Sequence, residues 1–545
     1  DLNTMDSGIY HSTLASCILD GPMLVQDNAF ISNYYIGGDS ILIHNGSITA
    51  DKNPVYGNGN PVSVGVETGG REIYSFAELK MEDAVQMAMR KSDKSVLEQY
   101  GEFVKEYVKK VVFEKGIICR KVRLFNNSVI KNTFLAEGAR IENSLKLDNS
   151  TVLCNPAEAA RVSDGAFVRN SVLQWGCEVT SMGVVDNSVL TEHSEVERHG
   201  KVINSIIGSN TGVAEGEVNS SLVGPFVGFH HQSLLIAALW PEGKGNIGYG
   251  ANVGSNHTSR AADQEIRIGE GLFFGLGCNI KFPVNFLAAP YSIISTGAVT
   301  LPQRVEFPFS LITLADSSIH GHGISPAYNE IIPAWVLSDN MYALKRNESK
   351  FKKRNKATRN MYVFEVFRPE IMDLIIKARK ALMINEKKEI YTDQDISGLG
   401  KNYMLERSRV HAVETYTLFL QYYSLKGLKN QLMRLCGSGG VRVSLEMLQR
   451  IKTDKRWEHE RSVLQKEFSV SIDLKEMMKK YLVMEETMIE RIIMAREKDD
   501  KRGRKIMDDY DLVHTPARDD SLVRESYKNL EKIKEEVETI IRALE

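Results

Sequence analysis

Between residues 113 and 325, apolar side chains recur every five or six positions. The clearest run is Leu173, Val179, Val185, Leu190, Val196, Val202, Ile207, Val213, Val218 and Val223, in steps of 6, 6, 5, 6, 6, 5, 6, 5 and 5. A helix repeats every 3.6 residues and a half-buried strand alternates by two, so neither explains the run. A slower repeat lies on top of it. A small polar pair followed by aliphatics returns as Asn127-Ser128-Val129, Asn143-Ser144-Leu145, Asn170-Ser171-Val172, Asn187-Ser188-Val189, Asn204-Ser205-Ile206 and Ser220-Ser221-Leu222. Its last steps are 17, 17 and 16 residues. Three short sides therefore make one turn of a solenoid, each turn burying its apolar side chains against the next.

The rest of the chain is organised around that repeat. Ser16-Cys17-Ile18, Ser32-Asn33-Tyr34 and Gly46-Ser47-Ile48 read as earlier coils, over 1–72. Within them, 53–71 is dense in turn-formers: Pro54, Gly57, Gly59, Pro61, Gly65, Gly69 and Gly70. This predicts ordinary turns at a coil edge or a phosphate or sugar contact. Residues 73–112 switch to helical spacing (Leu79, Ala84, Met87, Val96, Val104, Val111) and predict a helical insertion packed on the solenoid. The main solenoid follows over 113–330. Past it, over 331–545, glycine thins out, and helices are expected near 361–385, 403–434, 442–467, 472–499 and 519–545, with Gly437–Gly440 as an interhelix loop.

These repeats resemble the left-handed parallel β-helix of the hexapeptide-repeat superfamily. Ile268-Gly269-Glu270-Gly271 through Gly277, and Thr296-Gly297-Ala298-Val299-Thr300, match its motif best, with Ile293, Val299, Val305 and Leu311 six residues apart. The layout is also similar to a bacterial family described as related to UDP-N-acetylglucosamine pyrophosphorylase. The fold implied is mainly β solenoid plus α: a left-handed parallel β-helix with a helical insertion and a helical C-terminal domain.

Totals narrow the function. The chain's 545 residues are 43% hydrophobic with a net charge of −2, so no global pull toward nucleic acid or membrane is implied. No run approaches a membrane span, and no basic-then-apolar leader opens the chain; a cytoplasmic location is the expectation. The six cysteines form no CxxC pair and read as reduced thiols. Residues 345–359 hold eight basic residues against one acidic. They predict either a solvated helix or linker, or a site for a phosphate-bearing ligand such as coenzyme A.

The candidate chemistry sits where the rhythm weakens, over 228–267 and again over 281–292. Three of the twelve histidines, His230, His231 and His257, fall in the first stretch. Acyl transfer from a thioester needs a base for the acceptor and donors for the oxyanion. A near-neutral imidazole suits the first role. The resemblance implies such an acyltransferase, with acetyl-CoA or another acyl-CoA as co-substrate and no tightly bound cofactor. The resemblance also implies a sugar or nucleotide-sugar acceptor and subunits that associate as trimers or dimers. His257 and His231 lead equally as base, with His230 third. Lys244, Tyr249, Asn256, Arg260, Lys281 and Asn285 are the expected substrate or cofactor contacts. No metal site is expected: adjacent histidines on a strand point to opposite faces, and only His320 and His322 have a spacing that shares a face. No Gly-x-Gly-Thr-Arg loop of the nucleotidyltransferase type occurs. The alternative to an enzyme is a non-catalytic β-helix scaffold or regulatory module of the kind found beside pyrophosphorylase domains.

Overall fold

In the computed structural model, which describes residues 6–90, 93–254, 265–436, 454–468 and 473–544, the chain winds into a left-handed parallel β-helix closed by a helical region. The strands stack into three sheets of 17, 13 and 13 strands. One coil shows the plan: Arg161–Ser163 lies in the first sheet, Phe167–Arg169 in the second and Val172–Leu173 in the third. Each strand pairs in parallel with one a coil later, so Val162 lies beside Val179, Val168 beside Val185 and Leu173 beside Leu190. All ten residues of the run Leu173 to Val223 point inward and are fully buried. Burying such a side chain is worth about 1.5–3 kcal/mol, and here the gain repeats at every strand.

The Asn-Ser repeat has its own cause. Asn170, Asn187 and Asn204 turn the corner between the second and third sheets with φ of 50°, 45° and 48°, left-handed backbone that asparagine tolerates. The serine that follows is buried and accepts from the backbone of the next coil. Ser171 Oγ takes Ser188 N at 3.1 Å, Ser188 Oγ takes Ser205 N at 3.0 Å, and Ser205 Oγ takes Ser221 N at 3.1 Å. The ladder satisfies N–H groups that the corner would strand inside the core. The earlier pairs at 127 and 143 belong to a different corner, between the first and second sheets. There Asn126 and Asn143 are left-handed, and Asn127 fills the buried position above Ser144.

Two features differ from expectation. Of the six-residue series Ile293, Val299, Val305 and Leu311, Val305 is interior, but the other three mark outward positions, with Val299 45% exposed; Ile294, Thr300 and Ile312 fill the interior instead. Over 228–254 the strands keep parallel register. The rhythm looks broken because inward positions turn aromatic (Phe229, Trp240, Phe274) and the corners lengthen.

The outer face of the third sheet is apolar at Val172, Val189, Ile206, Leu222 and Leu239. It is covered by an antiparallel hairpin, Pro61–Ser63 with Glu72–Tyr74, and by helices α1 (Met81–Met89) and α2 (Lys94–Val111). Gly57, at φ 80°, packs so closely on the corner that a Cβ would lie 2.7 Å from Asn149 O. The glycines of 53–71 thus bring the hairpin against the coils.

At the far end, Asn329–Ile332 pairs antiparallel with the last coil strand, Leu311–Thr313, and closes its open edge. Helices follow: α3 (Trp335–Asp339), α4 (Met341–Arg354), α5 (Pro369–Leu382), α6 (Glu406–Cys436), α7 (Lys455–Glu467), α8 (Leu474–Arg504) and α9 (Ser521–Ala543). The helix expected from 361 begins only at Pro369, since the residue before a proline avoids helical backbone while proline itself suits the first helical position. Residues 355–368 form an extended strap instead. The loop Gly437–Gly440 and the start of the helix expected from 442 lie outside the described residues.

Candidate active site

The strap fixes α4 over the late coils. Its anchors are carboxylates projecting from the β-helix. Glu192 is fully buried and accepts from the backbone N–H groups of Thr358, Arg359 and Asn360 at 3.1, 3.0 and 3.0 Å, from Asn360 Nδ2 at 2.7 Å and from Arg359 Nη1 at 2.9 Å. Burial alone would raise its pKa, but these donors hold it below the ordinary value. Glu158 pairs with Arg359 at 2.7 Å, and that guanidinium pulls its carboxyl down to about 2. Arg359 also stacks 3.8 Å from the Trp175 ring centre. Further along, Phe226 meets Phe351 of α4 and Phe364 of the strap, at ring-centre distances of 5.2 and 5.5 Å.

Between α4, the strap and the first sheet lies a cleft of about 780 Å³. Its sheet side is one outward column, Gly228, Asn246, Phe273 and Ile293, each in register with the next. Its helical side carries Arg346, Lys350 and Phe351. In its floor, Lys244 Nζ donates to Glu270 at 2.8 Å and to the Val363 carbonyl at 2.7 Å. Tyr291 donates to Glu270 at 2.6 Å, and Arg368 pairs with the same carboxylate. Burial opposes the Glu270 charge, yet Lys244 and Arg368 keep its pKa below the ordinary value.

His230 follows the strand Gly228–Phe229 and stands at the cleft wall. Its ring folds back over Gly228. A Cβ on that glycine would lie 2.9 Å from His230 Nε2 and 2.8 Å from Asn246 Oδ1, so the two side chains converge on one spot that only glycine leaves open. Neither the imidazole nor the Asn246 amide bonds to a described residue. Partial burial, followed by the nearby His231, Lys350 and Arg198, pushes the His230 pKa below the ordinary value of 6.5. The shift favours the neutral ring, which can accept a proton.

The other expected residues fall in several places. His231 is exposed, left-handed at φ 54°, and bonded to Glu215 at 3.0 Å. Lys244 reaches the cleft with its stem, its ammonium being committed to Glu270. Tyr249 stands 56% exposed at a corner. Lys281 is exposed, and Asn285 lies on the third sheet between Arg267 and Arg304, in a separate open groove. Asn256, His257 and Arg260 lie outside the described residues. His322 stands near the cap, 4.0 Å from Glu389. Among the described residues, no three His, Cys, Asp or Glu side chains converge as metal ligands, and no helix is long and apolar enough to cross a membrane. Sequence reasoning did not single out Asn246 or Thr296, and it placed Arg346 and Lys350 only within the basic run 345–359, as a solvated stretch or a phosphate site, without separating them from its other six basic residues. Their signal is the outward position on a coil for the first two and the i, i+4 spacing for the second pair.

Fold and cleft together define a capped left-handed β-helix with a ligand-sized opening between coils and cap. The chain belongs to the family described as "Domain of unknown function (DUF4954)", which matches residues 3–384. That description makes no link to UDP-N-acetylglucosamine pyrophosphorylase. An "Uncharacterized protein" of Treponema pallidum (strain Nichols) is 30% identical over 413 residues, 72% of this chain and 56% of the relative. The chain thus spans little more than half that relative's length. A solved structure described as a "putative acetyltransferase" from Desulfovibrio desulfuricans G20 overlays 57% of this chain and 70% of its own, at 10% identity and a TM-score of 0.12. At that score, no residue correspondence is drawn from it.

Proposed function

We propose that the cleft is the active site of an acyltransferase that moves an acyl group from an acyl-CoA thioester to a hydroxyl or amine of a sugar or nucleotide-sugar. The observation that carries this reading is the convergence of an unpartnered His230 and an unpartnered Asn246 over Gly228. His230 Nε2 takes the proton of the acceptor O–H or N–H as the acceptor attacks the thioester carbonyl. The Thr296 hydroxyl, which also lines the cleft, donates to the oxyanion, while Asn246 Oδ1, the atom that faces Gly228, accepts from the acceptor group and orients it. The C–S bond then breaks, and the imidazolium returns its proton to the departing thiolate. The products are an ester or amide and free coenzyme A. Because the chain's own α4 closes the cleft, this reading needs no neighbouring subunit to complete the site.

The test is release of free thiol from acetyl-CoA in the presence of sugar phosphates and nucleotide-sugars. Acceptor-dependent release that drops by about 10²–10⁴ in His230→Gln is the expected result. No release with any acceptor, or undiminished release in the variant, overturns it. A second reading, a binding module without turnover, is favoured by how much of the buried polar surface serves only to dock the strap. Binding of the same ligands with no thiol release would select that reading.

A further inference from the structure

We infer that the helical wall of the cleft binds the diphosphate of a nucleoside diphosphate moiety through Arg346 and Lys350, with the base against Phe226, Phe351 and Phe364. The inference rests on the cleft being the ligand site, as proposed above, but not on acyl transfer.

Arg346 and Lys350 lie four residues apart on α4, on one helical face, and both line the cleft. Like charges at that spacing destabilise a helix unless something negative sits between them. Neither forms an ion pair or hydrogen bond with a described residue. The neighbouring carboxylates are already engaged. Glu348 accepts from Lys345 Nζ at 2.8 Å and from Val366 N at 3.1 Å, and Glu270 serves Lys244, Arg368 and Tyr291. Lys244 and Arg368 of that floor group also reach Glu242 at 3.9 Å and Glu370 at 3.4 Å. The next acids out, Glu242 and Glu370, are 58% and 73% exposed. The lining's own carboxylate, Glu348, and the floor's Glu270 are thus paired with other cations, and the charge left without a counter-ion is that of Arg346 and Lys350 on the helical wall. Burial, Arg354 and Arg346 hold the Lys350 pKa below its usual value, as expected for a cation lacking a counter-charge.

A guanidinium fork and an ammonium one helical turn apart suit two linked phosphates. The three phenylalanines pack into one apolar aromatic cluster at the cleft, against which a base can lie, and the volume lies in the small-molecule range. Lys352 and Lys353 of the same helix are not part of the lining, and Lys353 pairs with Glu525 at 3.0 Å.

A nucleoside diphosphate moiety occurs both in coenzyme A and in nucleotide-sugars, so the test has arms for each. Calorimetric titration of the full chain with ADP, UDP, coenzyme A and UDP-N-acetylglucosamine should give saturable binding by at least one of them. In Arg346→Ala/Lys350→Ala and in Arg346→Gln/Lys350→Gln, that affinity should fall at least about 30-fold, the loss of two charge-assisted contacts. Lys352→Ala/Lys353→Ala should bind as wild type, and His230→Gln should bind within about twofold, whatever its effect on turnover. Tighter coenzyme A assigns the subsite to the donor, and tighter UDP-N-acetylglucosamine to the acceptor; either supports the inference. Absence of binding by all four, affinity unchanged in both Arg346/Lys350 variants, or an equal loss in Lys352→Ala/Lys353→Ala overturns it. If binding is lost as expected while no thiol is ever released, the acyltransferase reading fails and this inference stands.

Discussion

The coils over 161–223 and those over 226–296 share a register, yet they use their outward positions differently. In the earlier coils, inward aliphatics stack on aliphatics, and each corner serine accepts the N–H of the next coil. The outward column of the first sheet (Arg161, Glu178, Glu195) faces solvent. In the later coils the interior becomes aromatic, and that same column becomes Gly228, Asn246, Phe273 and Ile293 beneath α4. A repeat that satisfies all of its own polar groups has little left to offer a ligand. Chemistry becomes available where outward positions are shortened to glycine or left as free amides, and a second element closes over them.

Removing the anchor of that closing element should have the largest effect on stability. Glu192→Ala leaves several buried donors and Arg359 without their acceptor, a loss of about 3–5 kcal/mol read from the urea midpoint. The neighbouring Glu158 adds a pH dependence. Its folded pKa, about 2, lies below the ordinary carboxylate value of 4.5. Its contribution is therefore complete above pH 4.5 and is lost as the pH falls toward 2. Arg359→Ala should flatten that acid limb in a pH series of denaturation midpoints.

Next come two changes confined to the regular coils. Leu190→Ala opens a cavity between Leu173 and Ile207 and should cost about 2–5 kcal/mol without altering ligand binding in the cleft. Ser188→Ala strands the Ser205 N–H and should cost about 1–3 kcal/mol. A comparable loss of cleft binding in either variant would show that the two regions are not separable. The smallest stability effect belongs to Gly228→Ala, about 1 kcal/mol or less, because the His230 ring can swing away from the added methyl. Its activity should nonetheless fall about 10²-fold, since both converging groups are displaced.

The fold was legible because a solenoid writes its period directly into the chain: the residues from Leu173 to Val223 that recur every five or six positions are all interior. Where a single residue decided between inward and outward, the pattern misled, as at Ile293 and Val299, whose successors Ile294 and Thr300 are the buried ones. The site was only half legible. His230 lies in a stretch that stands out in sequence, but nothing local ranks it above His231. Both residues are exposed; what separates them is the glycine two residues earlier, over which the His230 ring folds toward Asn246, and Glu215, which engages His231. Asn246 and Arg346 meet across 100 residues of chain, a juxtaposition set by the strap's long-range bonds to Glu192 and Glu270.

The central claim is that His230, and not its neighbour, is the base. The most direct measurement is the pH dependence of kcat/KM for acceptor-dependent thiol release in wild type, His230→Gln and His231→Gln. An acid limb with an apparent pKa below 6.5 is expected in wild type and in His231→Gln, and it should disappear with the bulk of the activity in His230→Gln. A limb that persists in His230→Gln, or that vanishes in His231→Gln, would contradict it.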